Sequence, residues 1–296
     1  MKNVLFFGGS SLLATMWYDC WKNKYKIYAT QHQTIIDIDS VNVIPITNIS
    51  DFIVKNLISK YNIEIVINCI GLTNVEKCEK TPSIANFLNA EIPSIIAKSC
   101  FEKNVFFVHI STDHLSDGCS PFSSEQDTPN PINQYAVSKL KAENLVLKQN
   151  PDSLIIRTNF FGFGPKHKSS FSDVIIQALL NKEKIDLFED VFFTPIYIQE
   201  LAKVVYQLLT KKQKGIFNVV SNEKISKHEF GILIADCMDI SKSLILRGSL
   251  SSRNDLVIRP KDMSLSNNKV RSIQGIEIKN LKNQIKDLIQ NKFKII

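Results

Sequence analysis

The chain has no run of about 18 or more uncharged apolar residues, so no stretch reads as a membrane-spanning helix and no membrane partner is expected. Its opening, Met1-Lys2-Asn3-Val4-Leu5-Phe6-Phe7, is too short and wrongly flanked for a signal peptide, which makes a cytoplasmic location the expectation. The six cysteines, Cys20, Cys69, Cys78, Cys100, Cys119 and Cys237, show neither C-x-x-C spacing nor a histidine partner. That pattern argues against a zinc site or a redox pair and leaves free, mostly buried thiols, with no metal expected. There is also no basic stripe. Lys and Arg total 36 against 29 Asp and Glu, giving +7 and a pI near 9.0. The lysines are scattered, however, and Lys22-Asn23-Lys24 and Lys211-Lys212 read as solvated helix ends. A nucleic-acid face needs clustered cations with interleaved aromatics, so that partner is disfavoured, while a phosphorylated small molecule suits the same charge. Internal repeats and low-complexity tracts are missing too.

What is present is a 296-residue chain of 44% hydrophobic residues, enough for one large α/β domain or two intertwined ones. Apolar runs and amphipathic stretches alternate. Strands are expected at Asn3 to Phe7, Tyr25 to Ala29, Asn42 to Ile46, Ile63 to Ile70, Val105 to Ile110, Ser153 to Arg157 and Ile216 to Val220. Helices are expected to about Trp21, at Ser50 to Lys60 with Ser50 as N-cap, at Pro82 to Leu88, Ile92 to Glu102, Asn133 to Lys148 and Ser170 to Leu180. Such alternation implies a Rossmann-like, doubly wound parallel α/β sheet with right-handed crossovers. The organisation expected is a dinucleotide-binding domain over residues 1–157, with 192–222 returning to it, and a smaller discontinuous cap from 158–191 and 223–296.

The first strand empties into Gly8-Gly9-Ser10-Ser11. Small residues there let a backbone approach a pyrophosphate, and the following helix start offers free N–H groups. The three small positions are Gly8, Ser11 and Ala14, and taken alone they fit a plain βα turn equally well. After the second strand comes Thr30-Gln31-His32 with no carboxylate for a ribose 2′-hydroxyl, which leans towards NADP(H) over NAD(H), although no arginine for a 2′-phosphate is evident. His109 reads as a core histidine, and His32, His167 and His228 as surface ones. Phe160 to Phe163 reads as mostly core.

Ser111-Thr112-Asp113 closes the fifth strand, and Tyr135 and Lys139 lie four apart on a helix. That spacing puts a phenol and an ammonium on one face. A free phenol has a pKa near ~10, and a fixed cation beside it favours the phenolate, so the pair can deliver a proton at neutral pH. Thr112 can add a hydroxyl hydrogen bond to the same substrate oxygen. Tyr-x-x-x-Lys by itself is common, and its placement after the fifth strand is what makes it informative.

Together these residues resemble the extended short-chain dehydrogenase/reductase superfamily, and within it the dTDP-4-dehydrorhamnose reductase-like branch. The likeness runs through Asn68 to Glu79, Ser111-Thr112-Asp113 with Asp117-Gly118, Asn133 to Glu143, Thr194-Pro195-Ile196-Tyr197, Gly215-Ile216-Phe217-Asn218 and Arg259-Pro260. It implies NAD(P)H-dependent reduction of the keto group of a nucleotide-linked 4-keto-6-deoxy sugar, in the synthesis of cell-surface polysaccharide precursors. By the resemblance, Thr112, Tyr135 and Lys139 are catalytic. Gly8, Ser10, Ser11, Leu12, Gln31, Cys69, Ile70, Gly71, Asn89, Tyr135 and Lys139 hold the cofactor, Asn89 being equally readable as a helix cap. Thr73, Asn74, Asp113, Asn159, Lys166 and Arg259 contact substrate, the two cations being candidates for the diphosphate and equally readable as surface charges. The implied partner is a nucleotide sugar, with a homodimer left open. The chain departs from the branch at Ser11, His114, Ser116, Ala136 and Phe160, several of them near the sugar pocket, so the sugar itself is not fixed by the likeness. A 4-epimerase, and a non-catalytic regulatory subunit like that of methionine adenosyltransferase, are the alternatives. A dehydratase is disfavoured because His114, not Glu, follows Asp113.

Overall fold

The computed structural model of the chain describes residues 1–165 and 167–293. The elements run β1 (Lys2–Phe7), α1 (Leu12–Trp21), β2 (Tyr25–Gln31), β3 (Val41–Pro45), α2 (Asp51–Lys60), β4 (Ile65–Asn68), α3 (Val75–Lys80), α4 (Pro82–Asn86), a π-turn (Phe87–Glu91), α5 (Ile92–Glu102), β5 (Phe106–Ile110), α6 (Gln134–Gln149) and β6 (Leu154–Arg157). They continue through β7 (Phe160–Phe161), α7 (Phe171–Leu180), β8 (Ile185–Phe188), β9 (Phe192–Phe193), β10 (Ile196–Tyr197), α8 (Ile198–Thr210), β11 (Gly215–Asn218), β12 (Ile225–Ser226), α9 (Lys227–Cys237), β13 (Ile245–Gly248), α10 (Asn268–Arg271) and α11 (Leu281–Phe293).

Seven strands form one sheet in the order β11-β6-β5-β4-β1-β2-β3, and the pairs from β6 through to β3 are parallel. Strand order reverses between β1 and β4, and the crevice at such a switch point, beyond the carboxyl ends of the strands, is where this architecture binds ligands. Both faces of the sheet are covered, which is why its strands read as apolar runs and not as alternation. Leu5 and Phe7 of β1 belong to a core with Val54, Leu57 and Ile58 of α2 and Ile92, Ile96 and Ala97 of α5. Phe6, between them, points the other way and packs on Tyr18 and Trp21 of α1, at ring separations of 5.2 and 5.9 Å. Each buried aromatic of this kind removes roughly 150–250 Å² from water, so α1 is fastened by its Trp17, Tyr18 and Trp21 face.

The chain resolves into two compact units, one of residues 1–112, 133–157 and 208–217, the other of 113–132, 158–207 and 218–296. Residues 113–132, 192–207 and 218–222, read from the sequence with the nucleotide domain, group with the second unit. The second unit has its own aromatic centre, where Phe161, Phe171 and Phe193 pack on Phe230 at 5.2, 6.0 and 5.5 Å. Its strands are short, β8 pairing with β13, β9 with β12 and β7 with β10. The segment after Ser226 contributes β13 to this unit. His228 departs from expectation as well. Placed in the first turn of α9 after the N-cap Ser226, it is buried, not exposed. All six cysteines are free, with Cys78 and Cys100 buried and Cys119 exposed.

Candidate active site

The turn after β1 is shaped by two glycines for different reasons. Gly8 has φ +78°, and a Cβ there would lie 2.9 Å from the Ile70 nitrogen and 3.0 Å from the Cys69 carbonyl carbon, so no other residue fits without displacing the β4 end. Gly9 is held by packing, since an added Cβ would meet Ala29 Cβ at 2.7 Å and the Tyr18 hydroxyl at 2.8 Å. Thr30 anchors the turn. Its Oγ1 accepts from Gly8 N at 3.2 Å and its carbonyl from Gly9 N at 3.1 Å. Ser10 follows in the turn, and Ser11 is the N-cap of α1, its Oγ accepting from Ala14 N at 3.2 Å. Leu12 opens the helix, and like every first-turn residue it presents an N–H with no intrahelical acceptor. A tight positive-φ glycine leading into a ten-residue helix start suits a diphosphate, so the residues here fit the dinucleotide that the fold implies.

Across the switch point, Cys69 N extends the ladder to Phe7 O at 2.9 Å, and Ile70 N donates to Asn68 Oδ1 at 3.3 Å. Burial lifts the Cys69 thiol to about 12, against the Ser11 hydrogen bond and the Lys139 charge, which makes it inert at neutral pH. Gln31, expected to touch the cofactor, accepts from Ile36 N at 2.7 Å and so braces the loop after β2. Asn89 caps no helix. From the π-turn it accepts from Leu72 N at 2.6 Å and donates to Leu72 O at 3.1 Å and Ser138 Oγ at 2.9 Å. Ser138 Oγ in turn donates to Tyr135 O at 2.7 Å. One asparagine therefore ties the Gly71-Leu72 loop to the helix that bears the tyrosine. Thr73 is exposed after that loop, and Asn74 is the N-cap of α3, accepting from Lys77 N at 2.7 Å.

Asn133 caps α6 through Ala136 N at 2.9 Å, fixing the rotation of a helix that carries Tyr135 and Lys139, 9% and 5% exposed. Lys139 Nζ donates to Ile110 O at 2.6 Å, at the carboxyl end of β5, next to Ser111 and the buried Thr112. Burial drops the Lys139 ammonium to about 8, against the opposing pull of Glu143 and Cys69. His109 on β5 faces Asn68 Nδ2 through Nδ1 at 3.1 Å. Burial, reinforced by the Lys139 charge, pushes its pKa well below the usual histidine range and keeps it neutral.

Within the second unit, Asp113 and Asn159 come together, Asn159 Nδ2 donating to Asp113 Oδ2 at 2.6 Å. His114 Nε2 lies 3.9 Å from Asp113 Oδ1. Burial lowers the His114 pKa although Asp113 opposes it, and the charges of Lys227 and Arg259 push the same way as burial. Arg259 is thus near this group, while Lys166 lies outside the described residues. Sequence reasoning missed Lys227. It sits over the Phe193 ring at 3.2 Å and the Phe171 ring at 4.8 Å, and burial lowers it to about 8 against the Asp113 carboxylate. Its signal was the Ser226-x-x-Glu229 capping box, which sets α9 in place and leaves Lys227 as the first helical residue. Also missed was Glu143, eight residues after Tyr135 on the same stripe. Among the described residues no group of three or more His, Cys, Asp or Glu is placed to hold a metal ion, and no helix is long and apolar enough to cross a membrane.

A doubly wound sheet with a glycine turn at its switch point, and a Tyr-x-x-x-Lys helix beside the end of β5, defines an extended short-chain dehydrogenase/reductase. Residues 1–293 match the family described as RmlD substrate binding domain, and the chain belongs to that family, the dTDP-4-dehydrorhamnose reductase-like branch. It is 30% identical over 227 residues to the probable low-salt glycan biosynthesis reductase Agl14 of Haloferax volcanii, covering 75% of this chain and 74% of that one. Methionine adenosyltransferase 2 subunit beta of Rattus norvegicus is 28% identical over 229 residues, 74% of this chain and 68% of that one. The crystal structure of dTDP-4-dehydrorhamnose reductase from Bacillus anthracis in complex with NADP shares the fold, with a TM-score of 0.83 at 21% identity over 98% of this chain and 100% of the other.

Proposed function

We propose that the protein reduces the keto group of a nucleotide-linked 4-keto-6-deoxy sugar with NADPH in preference to NADH, in the assembly of surface polysaccharide precursors. The observation that carries this reading is the buried Lys139, on the helix of Tyr135, whose Nζ donates at 2.6 Å to the carbonyl of Ile110, the residue directly before Ser111-Thr112. A dihydronicotinamide bound here would supply the hydride for the carbonyl carbon. Tyr135 gives the proton to the carbonyl oxygen. Lys139, charged below about pH 8, favours the phenolate that is left and so lowers the barrier to proton transfer. Thr112 orients the carbonyl through its hydroxyl. Gly8, Ser10, Ser11 and Leu12 would hold the diphosphate of the cofactor, with Cys69, Ile70 and Gly71 beside it. Asn89 keeps that loop and α6 in register. Asp113 and Asn159 contact the sugar, with Arg259 for the anionic part of the substrate.

Incubation with a dTDP-4-keto-6-deoxy sugar tests the reading. Stoichiometric loss of NADPH with formation of the reduced sugar supports it, and interconversion of sugar epimers without net NADPH loss overturns it in favour of an epimerase. A second reading, a regulatory subunit, is favoured by the likeness to the methionine adenosyltransferase subunit. It requires NADPH binding without turnover on any keto sugar nucleotide, together with a change in the rate of a partner enzyme.

A further inference from the structure

Three buried side chains lie behind Lys139 and Thr112, and the reduction chemistry assigns none of them a task. Glu143, 1% exposed, stands one helical turn beyond Lys139 on the stripe of Tyr135. Ser111 Oγ donates to its Oε1 at 2.5 Å. Arg157 of β6 donates through Nε to the two oxygens at 3.0 and 3.2 Å and through Nη2 to Oε2 at 2.7 Å. Stability alone is a poor account of this network, because a buried ion pair is often no better than apolar residues of the same volume. Its position explains more. Ser111 is flanked by Ile110, whose carbonyl receives Lys139 Nζ, and by Thr112, so the carboxylate fastens both to α6. Charged or titratable groups around Lys139 are Tyr135 and Glu143 on its own helix, Cys69 at the end of β4 and His109 on β5, with Arg157 of β6 on the Glu143 carboxylate. Of these, burial holds the thiol uncharged and the imidazole neutral, whereas both oxygens of the Glu143 carboxylate are engaged by the Arg157 guanidinium.

We propose that Glu143 is a positioning residue for the reduction. Clamped between Ser111 and Arg157, it holds the end of β5 against α6 and supplies the buried negative charge that keeps Lys139 an ammonium. The inference rests on the reductase reading for its purpose, but its test is read on the protein alone. The titration of Lys139 is followed by the isotope-labelled Cε resonance that disappears in Lys139→Met. In Glu143→Gln the midpoint falls by about one pH unit or more, as loss of a neighbouring opposite charge requires, and Glu143→Asp retains it near the wild-type value. Arg157→Gln moves it the other way, upward, because the carboxylate is left without its counter-charge, and this variant decides the question if Glu143→Gln fails to fold. Ser111→Ala leaves the midpoint in place and lowers kcat about tenfold at unchanged KM, through Thr112 alone. A folded Glu143→Gln or Arg157→Gln whose Lys139 midpoint stays at the wild-type value overturns the proposal. If the wild-type protein reduces no keto sugar while the variants still show these shifts, the reductase reading is overturned and the control of Lys139 by Glu143 stands.

Discussion

Raising the pH through 8 is predicted to move activity and stability in opposite directions, both through Lys139. Its ammonium titrates at about 8 instead of the ordinary 10.5, because burial outweighs the pull of Glu143 and Cys69. At pH 7 about ten Lys139 side chains in eleven are charged, and at pH 9 about one in eleven. A rate that needs the ammonium therefore falls about fourfold between pH 7 and 8.5 and about tenfold for each further pH unit. Stability runs the other way. In this window the unfolded chain binds the proton that the folded chain has released, so folding strengthens as pH rises through the folded value and levels off near 10.5. The difference between the two values corresponds to about 3 kcal/mol. The thiols and Tyr18, whose pKa values are raised by burial, contribute with the opposite sign, so the measurement is the difference in denaturant unfolding free energy between wild type and Lys139→Met across pH 7 to 10.5. The wild type gains about 3 kcal/mol on the variant over that range, while kcat in an NADPH-oxidation assay drops with a midpoint at about 8. A flat stability difference, or an activity limb that lies near pH 10, refutes the reasoning.

Two further outcomes follow from the geometry. Gly8→Ala places a methyl 2.9 Å from the Ile70 nitrogen at a φ of +78°. It therefore costs about 1–2 kcal/mol in backbone strain alone, and NADPH affinity measured by fluorescence titration falls tenfold or more, whereas an unchanged Kd removes this turn from the cofactor site. Asn89→Ala severs three hydrogen bonds between the Leu72 loop and Ser138 and strands buried partners. It is expected to lower the unfolding free energy by about 1–3 kcal/mol and to raise KM for the cofactor, and a loss of less than about half a kcal/mol would show that the loop holds itself.

The sheet was legible because burial on both faces writes apolar runs into β1, β4 and β5, and because Ser50, Asn133 and Ser170 mark helix starts that the structure uses as caps. That Tyr135 and Lys139 share one helix was legible from their spacing, and the tight turn at Gly8 from its place after the first strand. The two-residue strands β7, β9, β10 and β12 were not, since two residues carry no periodicity. The burial of His228 was hidden because it depends on where α9 packs, not on its neighbours in sequence. Gln31 and Asn74 look like ligand contacts at strand ends, yet both side chains are bound to nearby backbone, one bracing a loop and the other capping a helix. Glu143 escaped notice for a related reason. A lone glutamate on a helix reads as solvent-facing until Ser111 and Arg157, 32 and 14 residues away, are seen to meet it.

The central claim is that Tyr135 donates the proton in a ketone reduction. Its most direct test is Tyr135→Phe, assayed for NADPH oxidation with a dTDP-4-keto-6-deoxy sugar and, separately, for NADPH affinity. The account predicts a kcat lower by about 10² to 10⁴, with NADPH affinity and thermal stability close to wild type. Turnover at the wild-type rate in this variant would contradict it.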